Sequence, residues 1–479
     1  MNRSSLAALA AVSLVLGLAA CSPGPAYHRP EIATAPQWRD EAAPDSTSFA
    51  DLQWWQIYND PVLVDLINTA LVENTDLNIA AERVVEAAAR LGFTKSDLWP
   101  QIDLSATAMR FQDSRNSFPP NPEPGQNLAT VYDLSVPVTW ELDLFGRIRS
   151  ASAAARAELL ATEAGQQAVA ISLVAQVASS YATLRAVDLQ LEISRRTLES
   201  RREYIDLARV RFEGGITSET DWRQAEAEYH RIQATVQDFE RLQRQVENAI
   251  SVLIGRYPGE ILRGRPLPDL PVFDNLPAGL PSDLIERRPD VRQAEQFLIA
   301  ANADIGQAKA LMFPRLALTG DLGVQSTDLE TLFDAPSKAF SIVGNLLQPL
   351  FQGGKNRQRV KVSESVMRQN LYVYEATVLN AFREVEDSLI AFRKLSEQRE
   401  AQRARVEAER KVVDLVELAY GGGVKDYLYV LDAQRSLFTA ELDEVRTMND
   451  QIDSLIQLYK ALGGGWPTAP AAADTTTTN

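Results

Sequence analysis

Two different periods of hydrophobic spacing divide this chain. Between Gly146 and Phe212, and again between Lys355 and Tyr420, there is no proline, and the second stretch has no glycine either. Each predicts one continuous helix of about 65 residues, roughly 100 Å long at 1.5 Å per residue. A helix of that length needs a lateral partner. Leu184, Leu191, Leu198, Ile205 and Phe212 fall every seven residues, as do Leu431, Phe438, Val445, Ile452 and Tyr459. Period seven predicts coiled-coil packing of the long helices against return helices. Gly214, Gly215, Gly422 and Gly423 then mark hairpin tips, where left-handed backbone lets one helix stop and its partner begin.

Between the helices the period is two. Leu134, Val136, Val138, Trp140 and Leu142 alternate with Asp133, Ser135, Pro137, Thr139 and Glu141, which predicts a strand with one apolar and one polar face. Residues 102–111 and 316–325 alternate less strictly. Residues 340–349 do so least, because Val343 and Leu347 interrupt the polar face. Two β-hairpins are expected, about 102–142 and 315–350. Their strands have the length of tilted membrane-crossing strands, although two soluble hairpins capping a helical rod fit the same pattern. A sheet in lipid must close, and four strands are too few, so the membrane alternative requires several chains.

The architecture is duplicated. Phe212-Glu213-Gly214-Gly215-Ile216 precedes Tyr420-Gly421-Gly422-Gly423-Val424 by 208 positions, and the same offset carries Ile254-Gly255 onto Leu462-Gly463. Leu98-Trp99-Pro100 is echoed by Met312-Phe313-Pro314 and Leu144-Phe145 by Leu350-Phe351, at slightly different offsets. The expected organisation is a signal peptide (1–20), a proline-rich extended tether (21–60), a first repeat (61–255), a proline-rich linker (256–281), a second repeat (282–465) and a disordered tail (466–479). Residues 120–126 read as an exposed loop between the first two strands.

At 479 residues and 45% hydrophobic composition the chain can bury a sizeable core, and its net charge of −16 argues against nucleic acid as a partner. The apolar run from Leu6 to Ala20 is too short to span a bilayer and fits a signal peptide. No later stretch approaches twenty apolar residues, so no transmembrane helix is expected. Cys21 is the only cysteine, which excludes a disulfide within the chain. Leu18-Ala19-Ala20-Cys21 resembles the lipobox at which lipoprotein signal peptidase cuts and a diacylglycerol is attached, and Ser22 resembles the outer-membrane sorting pattern. A structural thiol is the other reading of Cys21. With two histidines, His28 and His230, and no catalytic, metal-ligand or phosphate-loop spacing, an enzyme is not expected, nor any cofactor beyond the lipid on Cys21.

Tyr27-His28-Arg29-Pro30 behind the cysteine, the string Trp140-Glu141-Leu142-Asp143-Leu144-Phe145-Gly146-Arg147, and the two glycine tips resemble the outer-membrane factors of tripartite efflux pumps, the TolC-like family with its lipid-anchored NodT-type subgroup. The resemblance covers nearly the whole mature chain. It implies an α+β homotrimer: four strands per chain in a shared twelve-stranded outer-membrane barrel, continued by an antiparallel helical coiled-coil tunnel. The implied function is a passive exit duct, receiving small molecules from an inner-membrane resistance-nodulation-division transporter through a periplasmic membrane-fusion adaptor that contacts the tips. By the same resemblance Asp221 corresponds to a carboxylate that hydrogen-bonds a tyrosine, placed here at Tyr420. Lys425 stands for an arginine that ties neighbouring helices, and Asp432 for a carboxylate ring in the pore. A second ring carboxylate of some members is replaced by Tyr429.

Three carboxylates around a narrow axis attract cations. Exposed polar links, worth about 0–1 kcal/mol each, can hold a tip shut and still yield to a partner. Lysine in place of arginine loses the bidentate fork. On spacing alone Asp221 and Asp432 also fit helix-start carboxylates favoured by the macrodipole, and Lys425 a solvated charge. The competing function is a structural coiled-coil lipoprotein without a channel.

Overall fold

The computed structural model describes residues 23–32, 38–39, 59–112, 114, 128–270 and 281–464. Cys21, the signal peptide, the loop at 120–126 and the tail beyond 464 lie outside them. The described residues fall into two compact units, one from within 23–31, 83–163 and 293–374, the other from within 32–82, 164–292 and 375–464.

The first unit carries the sheet. β1 (Gln101–Ile102) and β2 (Ser105–Gln112) both pair with β3 (Leu128–Leu142), which pairs with β4 (Arg315–Ser326), which pairs with β5 (Lys338–Leu347), all antiparallel. β1 and β2 share one register against β3 and so act as a single strand interrupted at Asp103 and Leu104. Four strand positions result, as the alternation predicts. β3 is longer than expected because its pairing with β2 extends to Leu128.

Register puts Val136 opposite Leu322 and Trp140 opposite Leu318 on one face, with Leu322 opposite Phe340. The other face sets Asp133 opposite Gln325, Thr139 opposite Thr319 and Asp321 opposite Ser341, and it also carries Val343 and Leu347. Period two thus produces a two-faced sheet. Among the described residues, β1/β2 and β5 are its open edges.

In the same unit residues 23–31 form no helix or strand and are fastened down by side-chain hydrogen bonds. Arg29 Nη2 donates to Glu295 at 2.7 Å, the Tyr27 hydroxyl to the same carboxylate at 3.2 Å, and Asn302 Nδ2 to the Pro25 carbonyl at 3.0 Å. Burial beside that carboxylate pushes the Tyr27 hydroxyl well above its ordinary pKa.

Two short helices, α1 (Pro61–Glu73) and α2 (Thr75–Ser96), open the first repeat. α3 (Arg147–Glu213) and α4 (Glu219–Leu253) form its hairpin. In the second repeat α5 (Pro281–Arg287) and α6 (Pro289–Ala310) precede α7 (Lys355–Gly421) and α8 (Tyr427–Ala461). Both long helices have 67 residues and both return helices 35. The heptad residues of α8 are all buried, from Leu431 to Tyr459. Contrary to the sequence expectation, α3 contains an 18-residue window apolar enough by length and composition to cross a membrane. That window is 56% buried inside the fold, which matches an alanine-rich helix packed against others.

The duplication is tighter in three dimensions than in sequence. An offset of 214 carries α2 onto α6 and the start of β1 onto that of β4, and an offset of 208 carries α3 and α4 onto α7 and α8. Hydrogen bonds repeat as well. Trp140 Nε1 donates to the Leu98 carbonyl, and Gln348 Nε2 to that of Met312. Asn74 Nδ2 donates to the Leu253 carbonyl, and an Arg288 nitrogen to that of Ala461, each at 2.9 Å. The offset therefore changes once, between the strands of each β-hairpin. On this alignment Phe145 corresponds to Gly353, so the echo of Leu144-Phe145 in Leu350-Phe351 is displaced by two positions. Phe145 instead stacks on Phe313, ring centroids 4.9 Å apart.

Both return helices end on a left-handed glycine pressed against the helix pair of its own repeat. A β-carbon on Gly255 (φ +72°) would lie 2.3 Å from the Glu73 carbonyl oxygen, and one on Gly463 (φ +74°) 3.2 Å from that of Arg287. Gly255→Ala is expected to destabilise by more than the roughly 1–2 kcal/mol of left-handed backbone alone, because the clash adds to it. Gly92→Ala, in α2 with open space around it, should stabilise by about 0.5–1 kcal/mol. Denaturant midpoints of the two variants that shift in the same direction would refute this.

Candidate functional site at the hairpin tips

The tips are built by the same device twice. At the end of α3 the Gly215 N–H bonds to the Phe212 carbonyl and the Ile216 N–H to that of Arg211, both at 2.9 Å. At the end of α7 Gly423 and Val424 repeat this on Tyr420 and Ala419. Paired bonds of this kind around a glycine with positive φ satisfy the last carbonyls of a helix. Gly215 (φ +70°) and Gly423 (φ +73°) supply that angle, whereas Gly214 and Gly422 do not need it. All four glycines are exposed. The return helices start on N-caps at equivalent positions, Ser218, whose side chain accepts from the Asp221 N–H, and Asp426.

Behind the tips Ala208, Ala225, Tyr427, Val430 and Leu431 form a buried cluster flanked by Tyr204, Trp222 and Tyr420. The Tyr420 ring lies under the Arg211 guanidinium, 4.5 Å from ring centroid to Cζ, and 5.9 Å from the Tyr427 ring. Asp221 occupies the first turn of α4, where the macrodipole favours a carboxylate. Asp221 and Tyr420 share the tip, yet no hydrogen bond joins their side chains among the described residues. The Lys425 ammonium sits 4.3 Å from the centroid of the Tyr429 ring, the residue in the place of the second ring carboxylate. Asp432 is exposed, one turn further along α8.

Next to this cluster the four helices share a buried polar layer that the sequence reading missed. Arg201 on α3 is 2% exposed and Glu228 on α4 is fully buried. Glu228 accepts from Arg231 at 2.6 Å and from Arg435 on α8 at 2.8 Å, and Arg201 Nε approaches it to 4.0 Å. Arg201 Nη1 donates to Gln434 Oε1, Gln434 Nε2 donates to Glu417 on α7, and the Tyr204 hydroxyl donates to Glu417 at 2.7 Å. The layer thereby ties the first hairpin to the second. Burial by itself would raise the Glu228 carboxyl, but the bonds from Arg231 and Arg435 hold it below the usual range. Burial lowers the Arg201 guanidinium and pushes the Tyr427 hydroxyl up to about 12. A charged residue every few positions on a long helix ordinarily marks a solvated face, and the match between repeats does not single out Arg201 either. The position 208 residues after Arg201 is Glu409, and no such pair recurs there.

A sequence profile of outer membrane efflux proteins matches residues 66–256 and 280–464, one segment for each repeat. The chain belongs to the outer membrane efflux protein family. It is 36% identical over 459 residues to the solvent efflux pump outer membrane protein SrpC of Pseudomonas putida, covering 94% of this chain and 97% of that protein. It is 33% identical over 469 residues to outer membrane protein OprJ of Pseudomonas aeruginosa, covering 96% of each. Among solved structures, the open state of the Neisseria gonorrhoeae MtrE outer membrane channel superposes with a TM-score of 0.84 at 31% identity, covering 93% of this chain and 98% of that one. As a family member the protein is an outer-membrane efflux channel. Its two-faced sheet and long helical hairpins are the family's architecture.

Proposed function

We propose that three copies of this chain close their sheets into one barrel and their hairpins into one tunnel, anchored in addition by lipid on Cys21. The assembly receives small molecules from a periplasmic adaptor and an inner-membrane transporter of the resistance-nodulation-division type. The observation that carries this reading is the sheet: an apolar face, a polar face and two open edges in one chain, which lipid does not tolerate unless copies pair. The exposed glycine turns at Gly214, Gly215, Gly422 and Gly423 suit adaptor contact.

Asp221, Tyr420, Lys425 and Asp432 form the periplasmic gate in this proposal. Tyr420 under Arg211 and Lys425 over Tyr429 are contacts made through ring faces, each worth about 0.5–1 kcal/mol at exposed sites. Such a latch can be opened by a docking partner. Asp432, exposed on α8, supplies the pore carboxylate.

Single-channel recording in a planar bilayer tests the reading. The native chain should give discrete steps with cation preference, and Asp432→Ala should lose that preference or a block by divalent ions. Trimeric protein that inserts and carries no current, even with Asp221→Ala and Tyr420→Phe, would favour the structural coiled-coil lipoprotein instead. Separately, Cys21→Ser should abolish incorporation of radiolabelled fatty acid. Retained label would remove Cys21 as the lipid site.

A further inference from the structure

The apolar face of the sheet carries charge at one end only, and of one sign. All four strand positions join helices at the same end: β1 and β4 follow α2 and α6, while β3 and β5 lead into α3 and α7. In the family's architecture the helices lie in the periplasm, so the opposite end of the sheet is the outer one. Among the described strand residues the apolar face holds two charges, Arg110 on β2 and Lys338 at the start of β5, and no carboxylate. Register fixes both positions. Arg110 lies opposite Thr130, on the face of Tyr132 and Leu134, and Lys338 lies opposite Val324, on the face of Leu322. The polar face, by contrast, holds Asp133, Glu141 and Asp321. Acidic side chains outnumber basic ones in the whole chain, 64 to 48, so cations alone on one face run against the composition. Both are exposed, and among the described residues no hydrogen bond or ion pair engages either.

The duplication shows that the two cations share a level. Carried forward by 214 and 208 residues, the pair Arg110–Thr130 of the first β-hairpin becomes the pair Val324–Lys338 of the second. One cation therefore occupies the same row of each hairpin, but on opposite strands of that row. A charge inherited through the duplication would sit on the same strand in both, so each repeat has supplied its cation to this level separately. The level itself is telling. Arg110 and Lys338 each lie eight residues along their strand position from Ile102 and Leu346, the apolar-face residues next to the helices. At about 3.3 Å per residue and a tilt near 40° that is roughly 20 Å, close to the outer limit of the ~25 Å apolar band of a membrane barrel.

We infer that Arg110 and Lys338 bind the phosphate groups of outer-leaflet lipid headgroups. Long basic side chains lay their stems along apolar surface and deliver the charge to the headgroup layer. Arginine meets phosphate through two parallel bonds and lysine as a point charge. Three copies set six such cations around the barrel at one height. The inference rests on the closed-barrel reading above and adds the lipid chemistry of its outer rim, which that reading leaves open.

The test uses the full-length protein, purified in neutral detergent and titrated with bisphosphorylated lipid A or its dephosphorylated form, with bound lipid counted by native mass spectrometry. The unsubstituted chain should retain the phosphorylated lipid more tightly, and Arg110→Gln/Lys338→Gln should lose that preference, by about fivefold for each cation removed. Arg110→Lys/Lys338→Arg should keep it. Arg315→Gln, which removes a cation from the polar face at the helix end, should leave it unchanged. Equal retention of the two lipids by the unsubstituted chain overturns the inference, whatever the variants do. So does a full preference in Arg110→Gln/Lys338→Gln, or a loss of equal size in Arg315→Gln. If millimolar inorganic phosphate abolishes the preference, the pair is a site for the free anion and the lipid assignment falls. Absence of any heat-sensitive trimer in the unsubstituted chain overturns the closed-barrel reading, and this inference with it.

Discussion

Replacing Glu228 by alanine is expected to destabilise the helical hairpins by about 3–5 kcal/mol, the range for breaking a buried ion pair from one side. Its partners are unequal. Arg231 and Arg435 have side chains 46% and 48% exposed and can turn to water, but Arg201 is 2% exposed and cannot. The loss should therefore come chiefly from a stranded Arg201 charge. The double variant Glu228→Leu/Arg201→Met, which removes both buried charges, should recover most of it, since apolar replacements of buried pairs are often neutral or better. Denaturant unfolding in detergent, followed by circular dichroism, reads both. A double variant as weak as the single one would show that the layer does not act through charge burial. The pH dependence has a definite sign. The Glu228 pKa is held below its ordinary 4.5, so its contribution is complete above pH 4.5 and fades as pH falls through the lowered value. The gap between native chain and Glu228→Ala should be flat from pH 7 to 5 and narrow only in stronger acid.

The second large effect is expected in the sheet. Leu322 is 68% exposed on the apolar face, opposite Val136 and Phe340. Leu322→Arg should cost about 2–4 kcal/mol per chain if that face meets lipid near the bilayer midplane. Because three chains bear it together, little assembled channel should remain in the outer membrane. Thr319→Arg, on the same strand but on the polar face, should assemble and alter conductance only. Equal assembly of the two variants would mean that the apolar face does not meet lipid, and the sheet would then be a soluble cap on a coiled-coil rod.

Much of this fold could be read before any coordinates, and the reasons are physical. Both long helices begin and end within a residue or so of the expected limits, because the glycines that permit left-handed backbone, Gly146, Gly215, Gly354 and Gly423, bracket stretches without proline. The alternation of residues 133–142 located β3 through the demand of one face for apolar neighbours. The extent of β3 beyond Asp133 was not legible, since it depends on pairing with β2, a property of two segments at once. The displaced echo at Leu350-Phe351 has a similar origin: identical letters are weaker constraints than a register enforced by hydrogen bonds. Of the candidate site, the turns were legible from glycine spacing, while the Arg201–Glu228 layer was hidden because burial of a charge is decided by partners on other helices. Tyr420 closes the last turn of α7, and its contact with Arg211 leaves no mark in the spacing.

The equal lengths of the two hairpins limit how such a chain can evolve. One residue inserted into a long helix advances the tip by about 1.5 Å and turns everything beyond it by about 100°. A lone insertion would therefore rotate the heptad residues of α3 out of their seam and leave its tip out of step with that of α7. Only insertions of whole heptads, made in both arms of a hairpin and copied in the other repeat, extend the helices by about 10 Å while preserving every contact. Descendants of the duplicated ancestor are thus expected to vary freely in the loops between strands, where the two repeats already differ by six residues. In their helices they should keep one shared length or change it in large matched steps.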